Sequence, residues 1–177
     1  MVDKQRALDL AALRLLEIGM LSAGQAGFDL RDISYPIFDG IAGKPQWGGG
    51  PLDFNISHAD AIAACAVAAG CKVGLDVENM RELNPRTVLR LMADDASLAR
   101  GLDAANAVSR WTQIEAVLKA AGLGVMHARE IVWEEQRILL RGEQWWIHSI
   151  DCGQAHVAHV ATNDPHAVVS VHRITEI

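Results

Sequence analysis

No apolar stretch in the chain reaches the length that a bilayer-crossing helix needs, so a helical membrane protein is not expected. Cysteine is scarce: Cys65, Cys71 and Cys152 are odd in number and have no C-x-x-C spacing. That excludes a disulfide framework and a zinc-ribbon pattern, and fits reduced thiols in a cytoplasm. Positive charge is in deficit, with 16 Lys and Arg against 22 Asp and Glu and a net charge of −6. Non-specific nucleic-acid binding is therefore not the expected task. His127, His148, His156, His159, His166 and His172 show no metal-ligand spacing. His156 and His159 are three apart and would face opposite ways in a strand. Internal repeats and low-complexity tails are missing too, and Met1–Arg6 opens a charged amphipathic helix with no signal-peptide core.

What remains is an ordinary globular composition, half hydrophobic and 21% charged, sized for one domain or two small lobes. Residues 3–20 read as a helix, with Leu8, Leu10, Leu13, Leu15 and Leu16 near helical spacing and Arg6 and Arg14 among them. Residues 25–53 are turn-rich, with one short strand expected around Ile33–Phe38. In Gly43-Lys44-Pro45 the proline holds Lys44 extended, out on a stiff loop. Phe54-Asn55-Ile56-Ser57-His58 alternates as a strand. A Ser57–His58 nucleophile pair is set aside, because neighbours in a strand point apart and no third group is marked.

Val73-Gly74-Leu75-Asp76-Val77-Glu78 is the most informative stretch. As a strand it puts Asp76 and Glu78 on one face. Two adjacent carboxylates repel and are costly to desolvate, and a shared cation relieves both problems. Two readings are open: a magnesium site handling a phosphorylated substrate, or an edge strand with a wet acidic face. Further on, a helix is expected at 86–100 after Asn84-Pro85, and another at 104–121 that carries Trp111-Thr112-Gln113-Ile114-Glu115-Ala116-Val117-Leu118-Lys119. Glu115 and Lys119 are i, i+4 and share a face. Either they form a surface ion pair, or they add a third acid and a phosphate-binding lysine to the metal site. Beyond residue 130 the pattern is short strands: Ile131–Trp133, Arg137–Leu140, Trp145–Ile150, Ala155–Ala161 and Ala167–His172. Trp145-Trp146 reads as one buried and one exposed ring.

Taken in order, Gly43-Lys44-Pro45, Phe54–His58, Val73–Glu78 and Trp111–Lys119 with Gly122 and Gly124 resemble the Sfp-type 4′-phosphopantetheinyl transferases over about residues 4–125. The resemblance implies an α+β fold of two pseudo-twofold related lobes, here an N-terminal lobe at 1–70 and a C-terminal lobe with the metal site at 71–177, with the substrate cleft between them. It implies magnesium-dependent transfer of the phosphopantetheine arm of coenzyme A to a serine of an acyl or peptidyl carrier protein in secondary-metabolite or fatty-acid synthesis. Adenosine 3′,5′-bisphosphate is the other product. Asp76, Glu78 and Glu115 look like the metal ligands. Lys119 looks like the pyrophosphate lysine. Arg6, Lys44, Ser57 and His58 look like the grip on the nucleotide. Glu115 is expected to take the serine proton, with Asp76 as the competing base. No nucleic acid or membrane partner is expected, and the chain is expected to act as a monomer, with a dimer as the alternative.

The chain departs from the family pattern in three places. Ile114 stands where the family usually has a lysine. The N-terminal region is shorter, and the helix at 86–100 is rich in Ala and Leu where a pair of aromatics is common. The first two departures motivate a rival reading, a non-catalytic relative that binds coenzyme A or a carrier protein, and the third is a matter of repacking. A different magnesium-dependent phosphoryl-transfer enzyme would leave the Phe54–His58 stretch unexplained.

Overall fold

The computed structural model describes residues 4–38, 41–80 and 104–175. The expected helix at 86–100 and its Asn84-Pro85 start lie outside these residues. Among the described residues the chain is a mixed helix-and-sheet protein whose strand pairs are antiparallel, an α+β arrangement.

Helix α1 runs Lys4–Ser22. Ala12, Leu16 and Met20 recur every fourth residue and form its buried stripe. Gly24, at φ +83°, stops it in the left-handed conformation that closes a helix end. There the Gln25 N–H donates to the Met20 carbonyl at 2.9 Å. Strand β1 (Ile33–Ser34) and strand β2 (Ile37–Phe38) divide the strand expected across 33–38. Pro36 lies between them and has no N–H to give a ladder. Strand β3 (Ile41–Ala42) pairs with β2, and strand β4 (Gln46–Trp47) with β1.

Strand β5 (Leu52–Ala59) and strand β6 (Ile62–Ala69) form a hairpin turning at Asp60, which accepts a φ of +51° as Asp can. Leu16 and Met20 of α1 pack with Trp47, Leu52 and Phe54 into one core. Strand β7 (Val73–Asn79) belongs to a separate five-stranded sheet. Its other members are β8 (Val132–Trp133), β9 (Ile138–Leu140), β10 (Glu143–Ile150) and β11 (His156–Thr162), in the order β7-β11-β10-β9-β8.

The two sheets are stitched by side chains. The N–H groups of Val73, Leu75 and Val77 donate to Asp53 Oδ2 at 2.7 Å, Asn55 Oδ1 at 2.9 Å and Ser57 Oγ at 3.3 Å. Three alternate residues of β5 thus satisfy the outer edge of β7, an edge that would otherwise present unpaired donors.

Helix α2 (Ala104–Ala121) covers one face of the five-stranded sheet. Trp111, Ile114, Val117 and Leu118 bury with Ile138, Leu140 and Trp145 in the larger core. Helix and strand approach so closely at Gly74 that a Cβ there would lie 2.0 Å from the Ala116 carbonyl oxygen. Gly122, at φ +70°, ends α2, with the Leu123 N–H donating to the Leu118 carbonyl at 2.9 Å.

The strand expected at Ala167–His172 does not form. Strand β11 is already flanked by β7 and β10, so no edge beside it is open. The segment runs unpaired, with Val168 91% exposed and Arg173 donating to Asp151 Oδ2 at 3.0 Å. Of the tryptophan pair, Trp145 is fully buried and Trp146 half-buried. Among the described residues no helix is long and apolar enough to cross a membrane.

Candidate functional site

A cleft of about 490 Å³ opens between α1, β5, β7 and α2. One wall is acidic: Asp76 and Glu78 from β7, with Glu115 and Lys119 from α2. The facing wall carries Asp9 and Leu13 from α1, Tyr35, and Ile56, Ser57 and His58 from β5. The period-2 geometry of β7 turns Gly74, Asp76 and Glu78 toward α2. Gly74 lets the helix descend, and one helical turn sets Glu115 and Lys119 together above the two acids.

Asp76 is 3% exposed. Its Oδ1 accepts from Lys119 Nζ at 2.6 Å and from Ser57 Oγ at 3.3 Å. Its Oδ2 is buried and has no hydrogen-bond partner. Burial raises the Asp76 pKa, and the Lys119 ammonium and Ser57 hydroxyl only partly oppose it. Glu115 is raised as well, first by burial and then by the Asp76 charge, with Lys119 pulling the other way. Ser57 is fully engaged: it donates to Asp76 and accepts from Val77 N–H and from Lys119 Nζ at 3.2 Å.

The remaining nucleotide-gripping candidates divide. His58 lines the cleft, where its Nε2 lies 3.2 Å from Asp9 Oδ1 and 3.0 Å from Gln5 Nε2. Gln5 also donates to Asp9 at 3.0 Å, so these three side chains form one local network. Ser57 and His58 therefore serve different partners, in keeping with their opposite directions on the strand. Arg6 is exposed on α1 and is not among the residues lining the cleft. Lys44 is not held out on its loop. Its side chain is 9% exposed, and its ammonium bonds Asp53 and donates to the Val73 carbonyl at 2.8 Å. Burial lowers its pKa, and the Asp53 bond opposes this. The ammonium meets the same carboxylate that caps β7, and that contact turns it inward.

Ile114 is 2% exposed and belongs to the larger core. The position where the family pattern has a lysine thus faces apolar packing in this chain. Gln113, its polar neighbour, is engaged with His159 Nε2 at 3.4 Å. His159, 2% exposed, sits opposite Asp76 in the β7–β11 register. The Thr112 hydroxyl donates to the Ser109 carbonyl at 2.9 Å, which leaves it to accept from His159 Nδ1 at 2.6 Å. Burial holds the His159 pKa down at about 4, so the imidazole is neutral, with its proton on Nδ1.

Three hard carboxylates suit a divalent cation such as magnesium, and the orphaned Asp76 Oδ2 is the kind of buried acceptor that a cation would satisfy. As spaced here they line the cleft without closing into a coordination shell. Among the described residues no group of three or more His, Cys, Asp or Glu side chains is set to hold a metal ion. Lys119 occupies the other oxygen of Asp76.

Gln5, Asp9, Asp53, Asn55, Tyr35 and His159 have no site role in the sequence pattern. Asp53, Asn55 and Ser57 left a signal, a polar residue at every second position between Leu52, Phe54 and Ile56. Gln5 and Asp9 share a helix face by their i, i+4 spacing, but nothing local joins them to His58. Comparison of the chain with protein-family models and with curated proteins gave no match.

Proposed function

We propose that the chain is a magnesium-dependent 4′-phosphopantetheinyl transferase that moves the phosphopantetheine arm of coenzyme A onto a serine of an acyl or peptidyl carrier protein. The observation that carries this reading is the shared cleft. Asp76, Glu78, Ser57, His58, Glu115 and Lys119 come from three separate elements and line one opening. On this reading α1 with β5 and β6, and α2 with the five-stranded sheet, are the two lobes of a pseudo-twofold α+β fold, in a cytoplasmic protein.

Asp76, Glu78 and Glu115 would hold the magnesium ion. When bound, it would neutralise charge on the pyrophosphate. The chain's own groups do the rest. The Lys119 ammonium binds a pyrophosphate oxygen. Glu115, whose proton affinity is raised by burial, accepts the proton of the carrier serine. The serine oxygen forms the new bond to the phosphorus bearing pantetheine. The bond from that phosphorus to the oxygen of adenosine 3′,5′-bisphosphate breaks. Ser57 fixes both Asp76 and Lys119 through its hydroxyl.

One observation favours the competing reading, a non-catalytic relative that binds coenzyme A or a carrier protein: the acids do not close into a metal shell in the described residues. Release of adenosine 3′,5′-bisphosphate from coenzyme A, measured with apo carrier protein, separates the two. Transferase activity gives release that needs both carrier and magnesium, and Glu115→Gln slows it by about a hundredfold or more. Binding without release supports the non-catalytic relative. Near-normal release by Glu115→Gln at saturating magnesium moves the base to Asp76.

A further inference from the structure

The geometry points to Lys119 as the internal counter-ion of the cation site: its ammonium holds Asp76 until a divalent cation replaces it, and the exchange delivers the lysine to the phosphates. The inference rests on the metal reading above and adds an order of events to it.

A carboxylate as buried as Asp76 costs several kcal/mol to leave ionised and unpaired. To remain ionised it needs a cation beside it, and Lys119 stands there at 2.6 Å. That single contact engages only Oδ1, and Oδ2 stays buried without a partner. One ammonium therefore half-satisfies a group that a divalent ion would satisfy in full. The two cations also compete for it. A divalent ion on Asp76 would share one carboxylate with the ammonium, and two like charges on one side chain repel each other even with a protein-like dielectric.

The lysine has somewhere to go. Its side chain is 30% exposed at the cleft, and its flexible stem can swing toward an incoming anion. Ser57 Oγ, 3.2 Å from Nζ, gives it a second acceptor on the way. Lys44 and His58 are also paired with acids, Asp53 and Asp9. Neither of those acids is among the proposed metal ligands. Lys119 alone among the three shares its carboxylate with the metal set, and only there does cation binding free a phosphate ligand.

The test is Mg2+ titration by calorimetry of the full chain without coenzyme A, comparing wild type with Lys119→Met. Removing the competing ammonium should tighten Mg2+ binding by about tenfold. Lys72→Met, whose partner Glu143 lies outside the cleft, should leave it unchanged. The same Lys119 variant should bind coenzyme A more weakly, a split that general loosening of the fold would not produce. Equal or weaker Mg2+ binding by Lys119→Met overturns the exchange while leaving the metal site intact. No Mg2+ binding by wild type, Lys119→Met or Lys119→Gln overturns the metal reading itself and the exchange with it. Should Lys119→Met fail to fold by circular dichroism, Lys119→Gln keeps a polar head and supplies the same comparison.

Discussion

Replacing Gly74 with alanine probes the contact on which the cleft depends. The added Cβ would lie 2.0 Å from the Ala116 carbonyl oxygen, 2.4 Å from the Ala120 nitrogen and 2.8 Å from the Ala120 Cβ. Two of these three atoms are helix backbone, which cannot rotate aside. Strand and helix must then part by about 1.5 Å to regain van der Waals separation, and a gap of even 1 Å forfeits up to half the dispersion energy of the atoms facing it. Those atoms belong to Ala116, Ala120 and their neighbours Val117 and Leu118, all buried. Overpacking of this kind costs about 1–3 kcal/mol, and the rigidity of the obstacle puts Gly74→Ala at about 3 kcal/mol. The same parting draws Lys119 from Asp76, two residues along the strand. Urea unfolding followed by circular dichroism measures the loss. Gly124→Ala is the control, since Gly124 has φ −84° and no neighbour within 4 Å of a new Cβ. It should change stability by less than about 0.5 kcal/mol. A Gly74→Ala chain within about 1 kcal/mol of wild type would refute the close-approach argument.

Two further outcomes follow from the packing around α2. Ile114→Lys, which restores the residue usual in the family pattern, should destabilise the chain by about 3 kcal/mol, because it puts an unpaired ammonium into the larger core. Thermal unfolding checks this, and an unchanged or higher melting temperature would show that the position can reach the cleft. His159 should make stability pH-dependent: its pKa is about 4 in the fold against an ordinary 6.5. The unfolded chain binds that proton first as pH drops, so the contribution is complete above about 6.5 and declines toward pH 4, by at most about 3 kcal/mol. Asp76 and Glu115, with raised pKa values, act with the opposite sign. The quantity to measure is therefore the stability difference between wild type and His159→Gln across that range, and a flat difference would contradict the buried neutral imidazole.

Much of the cleft was legible along the chain because its acidic wall is built from two local patterns. The period of a strand pairs Asp76 with Glu78, and the period of a helix pairs Glu115 with Lys119. Gly74 gave no such signal. A glycine in a strand announces a close approach, but the helix it admits lies forty residues on. The inward turn of Lys44 was equally hidden, since its partners Asp53 and the Val73 carbonyl belong to two different strands. Ile114 looked like a lost phosphate ligand when judged by resemblance. Its burial follows from the helix period, which places it with Trp111 and Leu118. The strand expected at 167–172 failed for a topological reason, because alternation cannot tell whether a free sheet edge exists. The facing wall of the cleft, Asp9 with His58, depends on a contact between residues 49 positions apart that no local periodicity encodes.

The most direct measurement is the intact mass of an apo carrier protein after incubation with the chain, coenzyme A and magnesium. The proposed function requires a gain of one phosphopantetheine on the carrier serine, abolished by EDTA and by Asp76→Ala. An unchanged carrier mass across acyl and peptidyl carrier types, with coenzyme A still bound by the folded chain, would contradict it.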